Sequence, residues 1–192
     1  MFENLIAKTL KYCRMFIIFA FGYGFENFDR ALKKIMAQKN FKTYFRTLQI
    51  IHFGLLGGQL LMTGVFAFSV HYHLVETDVN FPTNYIYLTL LLPVLGVLGS
   101  NFLFKTFLQR IDDKATIREK LTSYQTALLA RYAVLEAPTL MLLVLYFLCG
   151  NKFLILAALL AAAYFLMMKP SEIGLIEDLE LNQEQQKQMY EM

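Results

Sequence analysis

Residue 136 is a glutamate in a stretch where no acid belongs. The run from Ala127 to Cys149, ALLARYAVLEAPTLMLLVLYFLC, is apolar apart from Arg131 and Glu136, and no other apolar run in the chain holds an acid. An ionised side chain such as aspartate at the centre of a bilayer costs about 2.5–3.5 kcal/mol on insertion scales, so a carboxyl there has to be protonated, paired or hydrated. Each of those states is a step in moving a proton or a cation. Tyr132, four residues before Glu136, and Thr139, three after, share its helical face and are placed to hydrogen-bond it. Pro138 has no N–H, which frees the carbonyl of Val134 for a protonated Glu136 or for a side chain of another helix. Arg131 is five residues from Glu136, a rotation of about 140°, so it is expected to reach a lipid phosphate or another part of the chain.

Three further polar residues lie in apolar surroundings: His52, Gln59 and Asn101. At about 1.5 Å per residue, Glu136 falls about 15 Å into the bilayer, Arg131 about 7–8 Å, His52 and Asn101 about 7–10 Å, and Gln59 slightly deeper than Glu136. His52 and Gln59, seven apart, share one face. Glu136, Arg131, Tyr132, Gln59, Asn101 and His52 are therefore the candidate polar site. Either Glu136 binds a proton or cation in a transport path that the others line, or all six form one buried layer that fixes the bundle.

What must position them is a set of helices in lipid. The chain has 192 residues, 57% of them hydrophobic, above the roughly 45–50% of soluble domains, and the excess is gathered into blocks. These blocks are apolar on all sides for about 20 residues, the length that crosses a hydrocarbon core of about 30 Å. They do not alternate, as barrel strands would. The expected architecture is an all-α membrane protein, a bundle of four transmembrane helices with short loops, with spans at about 48–72, 85–108, 126–149 and 152–168.

Each span has its own device. Gly54 and Gly58 form a GxxxG in span one, expected to let another helix approach, within the bundle in preference to between subunits. Pro93 is expected to kink span two, where Gly96, Gly99 and Ser100 give the next turn a small face. Thr116-x-x-Glu119 is a capping box that opens a helix with wet first turns, the rest of which is span three; Leu121 and Tyr124 should pack on the wet end of span two. Span four, rich in alanine, has no charged residue beyond Lys152 at its start and reads as a packing helix. Residues 171–192, with six acids and one lysine, read as an acidic tail, a solvated or frayed helix in preference to a docking element, with Ile173, Ile176 and Leu179 along one side.

Charge sets the orientation. Nine lysines and arginines precede span one and five lie in residues 105–120, from the inner end of span two into the loop before span three, whereas Lys152 alone falls at the opposite side, so both termini are expected in the cytoplasm. Residues 1–40 form an N-terminal extension, read either as an aromatic interfacial segment or as a start assigned upstream of Met36. Cys13 and Cys149 fall on opposite sides of this topology, which excludes a disulfide within one chain. His71, His73, Glu76 and Asp78 match no established metal spacing, and no metal or other cofactor is expected. A net charge of +3 with no interleaved stacking aromatics argues against nucleic acid. No Walker loop, dinucleotide fingerprint, HExxH, CxxC or nucleophile elbow is present, so an enzyme is not expected.

Several stretches resemble an uncharacterised family of small four-span bacterial inner-membrane proteins. They are FRTLQIIHF at 45–53, GSNFLFK at 99–105, Lys120-Leu121, YQTAL at 124–128, RYAVLEAP at 131–138 and Lys169-Pro170-Ser171. The resemblance covers about residues 36–181 and implies a bacterial cytoplasmic membrane and a four-helix architecture. That family brings no activity to carry onto these positions. The expected function is a non-enzymatic accessory or structural membrane subunit, with the lipid bilayer, a second copy or another membrane protein as its partner. The alternative is a small proton- or ion-linked carrier or channel that uses Glu136.

Overall fold

Every described element of the protein, in a computed structural model, is a helix. The structure describes residues 40–77, 83–112 and 114–192, of which 83–88 by backbone only, and the described residues contain no strand. The two readings of residues 1–40, and the places of Cys13 and Asp78, lie outside them. Four long helices, α1 (Phe41–His71), α2 (Thr83–Leu108), α3 (Ile117–Cys149) and α4 (Lys152–Met167), are followed by two short ones, α5 (Glu172–Asp178) and α6 (Gln183–Glu191). Residues Phe41–Met192 form one unit.

Helix α3 is the axis. It buries residues on nearly every turn from Lys120 to Cys149 and packs against α1, α2 and α4. Its start is fixed locally, because the Thr116 side chain accepts from the Glu119 N–H while the Glu119 carboxylate accepts from the Thr116 N–H, which satisfies two otherwise orphaned donors. Its end is fixed by Gly150 in the left-handed conformation (φ 67°), where a side chain would be strained and would also meet Thr77 of the loop after α1. Leu121 and Tyr124 are buried, and Tyr124 meets Phe104 of α2 edge-on, with ring centroids 5.9 Å apart. The Tyr44 hydroxyl of α1 donates to the Leu121 carbonyl at 2.7 Å and ties the same turn to α1.

Small residues matter at a different interface from the one the GxxxG suggests. Helix α1 buries Leu48, His52, Leu56, Gln59 and Thr63, a stripe at helical spacing. Gly54 and Gly58 each follow a stripe residue by two positions, a rotation of about 200°, so they face away from the bundle. A methyl at either would have no described atom within 4 Å, so among the described residues neither packs against another helix. The close approach is between α2 and α3, where a methyl on Gly96 would stand 2.8 Å from Pro138 Cγ and 3.3 Å from the Val134 carbonyl oxygen. Pro93 and Pro138 both lie inside continuous helices.

The acidic tail folds back onto the bundle. After α4 the chain breaks at Met168–Ser171 and turns by 80° into α5, whose N-terminus is capped by the Ser171 side chain. Leu175, Leu179, Leu181 and Met189 are buried, and Tyr190 meets Phe41 at the start of α1 edge-on, with centroids 5.4 Å apart. Ile173 stays 71% exposed, so the buried side of the tail is centred one position along from the Ile173, Ile176, Leu179 side expected of a solvated helix.

Candidate functional site

Of the six candidate residues, His52 and Tyr132 fall in one cluster and Arg131 and Asn101 in another, while Gln59 and Glu136 belong to neither. The first cluster is aromatic and joins α1, α3 and α4. His52 is completely buried, its ring parallel to that of Phe165 (centroids 4.8 Å, 4°) and tilted against Tyr132 at 5.1 Å. Neither ring nitrogen has a hydrogen-bond partner among the described residues. The imidazole acts as a flat ring in a stack, and leaving a polar group unpaired in that position costs about 1–3 kcal/mol. Gln59, two turns along the same stripe of α1, is also buried. The Tyr132 hydroxyl donates to the Met168 carbonyl at the end of α4, at 3.4 Å.

The second cluster is polar and joins α2, α3 and α4. Arg131 Nη2 donates to Asn101 Oδ1 at 2.6 Å, and Asn101 Nδ2 donates to the Tyr164 hydroxyl at 3.4 Å. The guanidinium lies over the Phe104 ring, 4.5 Å from its centroid, a cation–π contact. Its Nε is buried without a partner among the described residues. Arg131 thus takes the second of the two outcomes expected of it: it pairs with another part of the chain. Asn101 holds the fork in place and passes the connection on to α4.

Glu136 stands apart from both. The two hydroxyls expected to reach its carboxyl are committed elsewhere, since Tyr132 donates to Met168 and Thr139 donates to its own helix at the Leu135 carbonyl, 3.2 Å away. A threonine in a helix commonly bonds the carbonyl four residues back, which explains the loss of Thr139. The Val134 carbonyl freed by Pro138 is covered by Gly96 of α2. The Glu136 carboxyl makes no hydrogen bond among the described residues, and its side chain is half-buried.

Tyr164, Phe104, Phe165, Tyr124 and Asp178 belong to these clusters and were not singled out by sequence. Tyr164 and Phe165 sit in an alanine-rich helix that reads as filler; the signal available was that Tyr164 is the one hydroxyl in it. Asp178 comes from the tail, where the Tyr124 hydroxyl donates to its Oδ2 at 3.4 Å. Burial pushes the Asp178 carboxyl above its usual range, while the Tyr124 hydrogen bond and the Arg131 charge pull it the other way. Among the described residues no three of histidine, cysteine, aspartate and glutamate converge on a point where a metal could sit.

The class these features define is a helical membrane protein: among the described residues three helices are long and apolar enough to cross a membrane, and a fourth if α4 and α5 are counted as one bent span. No family model, curated protein or solved structure matches the chain.

Proposed function

We propose that the chain is a four-span protein of a bacterial inner membrane, with both termini in the cytoplasm, and that it works as a non-enzymatic accessory or structural subunit. The observation that carries this reading is the bridge Arg131–Asn101–Tyr164, in which polar groups of three helices are hydrogen-bonded to one another. A polar layer spent on internal bonds fixes the register of a bundle, because lipid supplies no hydrophobic force between helices. Counting α4 as the fourth span is supported by Lys152 and Lys169 at its two ends, placed to snorkel to opposite surfaces of a helix about 24 Å long. The bacterial membrane rests on the sequence resemblance.

The outward face of α1 supports a role as a subunit. Ile50, Leu61 and Phe68 are exposed there beside Gly54, Gly57 and Gly64, so that this helix is open to a neighbour. Affinity purification of the tagged chain in mild detergent tests the subunit role. A membrane protein recovered in fixed ratio supports it, and a lone monodisperse chain speaks for an autonomous protein. The second reading, a small proton- or ion-linked carrier, is favoured by Glu136, whose carboxyl makes no hydrogen bond among the described residues while its neighbours' hydroxyls are used elsewhere.

A further inference from the structure

A guanidinium carries five N–H donors and a full positive charge. Arg131 gives one donor to Asn101 Oδ1, and among the described residues nothing else accepts from it. The amide and the Phe104 ring beneath the fork are both neutral, and no described carboxylate forms an ion pair with it. Asn101 therefore positions the charge without neutralising it. Arg131, Asn101 and Tyr164 all keep some exposure, so the junction of α2, α3 and α4 is open to an anion from outside the chain.

The surroundings say which anion fits. The guanidinium lies over Phe104, four residues before α2 ends at Leu108, which is about 6 Å from the helix end and within the range of a snorkelling side chain. Lys105 is exposed and follows Asn101 by four positions, so a second cation stands on the same side of α2. Deeper along that side the surface is apolar, with Val94 seven residues before Asn101 and Leu98 seven before Lys105, both exposed. On α4 the exposed Leu160 lies one turn deeper than Tyr164. Two cations at the end of an apolar strip match an anionic head joined to an acyl chain, whereas a free phosphate would use the cations alone.

We propose that Arg131 and Lys105 hold the phosphate of an anionic phospholipid at the cytoplasmic end of α2, with its acyl chain along Val94, Leu98 and Leu160. The fork of Arg131 suits two phosphate oxygens at once, and the lipid supplies the charge that the bridge to Asn101 lacks. Assigning the site to the cytoplasmic leaflet rests on the orientation proposed above; the site itself does not.

The test is native mass spectrometry of the full chain in mild non-ionic detergent, titrated with dioctanoyl phosphatidylglycerol. The first lipid should bind roughly tenfold more tightly than dioctanoyl phosphatidylcholine, which has the same chains and no net charge. Lys105→Gln should weaken that binding by roughly fivefold, and Arg131→Met by roughly tenfold. Arg46→Gln removes the same charge from the exposed start of α1 and should leave it unchanged. If Arg131→Met does not fold, the comparison of Lys105→Gln with Arg46→Gln decides alone. Equal affinity for the two lipids, or equal losses in Lys105→Gln and Arg46→Gln, would overturn the site. Inorganic phosphate that displaces the lipid at matching concentration would overturn the lipid as its occupant. Protease access to a C-terminal tag in inverted vesicles reads the orientation separately, so an external terminus would move the site to the other leaflet without altering the binding result.

Discussion

The contact of Gly96 with Pro138 can be tested against the glycines of α1, because the same substitution should have opposite effects at the two places. Replacing glycine by alanine inside a helix stabilises it by about 0.5–1 kcal/mol. At Gly54 or Gly58 nothing described opposes that gain, since the new methyl meets no atom within 4 Å. At Gly96 the methyl would stand 2.8 Å from Pro138 Cγ and 3.3 Å from the Val134 carbonyl oxygen. Neither neighbour can yield cheaply, one being a ring closed on the backbone and the other the backbone itself. Overpacking of this kind costs about 1–3 kcal/mol, which exceeds the gain and leaves Gly96→Ala about 0.5–2 kcal/mol less stable. Thermal unfolding in detergent, followed by helical circular dichroism, would place Gly96→Ala below the parent, and Gly54→Ala and Gly58→Ala at or above it. If Gly96→Ala melts higher than the parent, the close approach of α2 and α3 is wrong. If Gly54→Ala instead lowers stability together with oligomer size on a sizing column, the GxxxG packs between subunits.

The two clusters give further expectations. Asn101→Leu strands the Arg131 donor and should cost about 1.5–3 kcal/mol in the same melt, whereas Tyr164→Phe removes only a long contact and should cost about 0.5 kcal/mol. His52→Phe keeps a ring in the Phe165–Tyr132 stack and removes two unpaired nitrogens, so it should be neutral or stabilising by about 1 kcal/mol; a clear loss would show that the imidazole has a partner. The folded-state value of Asp178 is raised above the unfolded one, so docking favours its protonated form. Protection of the tail against hydrogen exchange, corrected for intrinsic exchange, should therefore rise as pH falls from neutral into the carboxylate range and decline as pH rises again. A flat profile, or one that Asp178→Asn leaves unchanged, would remove Asp178 as its source.

Much of the helical architecture was legible because it depends on local rules. The apolar blocks, the capping box at Thr116–Glu119 and the turn at Gly150 each state their structure within a few residues. The small face of Gly96, Gly99 and Ser100 was legible too, being an arrangement on one helix. Which helix it meets was not, and neither was the direction of the GxxxG, because a motif says that an approach is allowed without saying from which side. The candidate site was legible as a set of residues but not as a set of contacts. His52, Arg131 and Asn101 were found by being polar in apolar runs, yet their partners Phe165, Phe104 and Tyr164 are ordinary residues of membrane helices. Asp178 was hidden for the opposite reason: in a tail with six acids, one more carboxylate carries no signal until the chain has folded back on Tyr124.

Whether the polar layer serves structure or transport is decided at Glu136. The purified chain and Glu136→Gln, reconstituted into liposomes loaded with a pH-sensitive dye, should take up protons at the same rate as empty liposomes when a pH gradient is applied, with the two proteins equally folded by circular dichroism. A proton flux through the parent that Glu136→Gln abolishes without loss of fold would contradict the structural reading and establish the carrier.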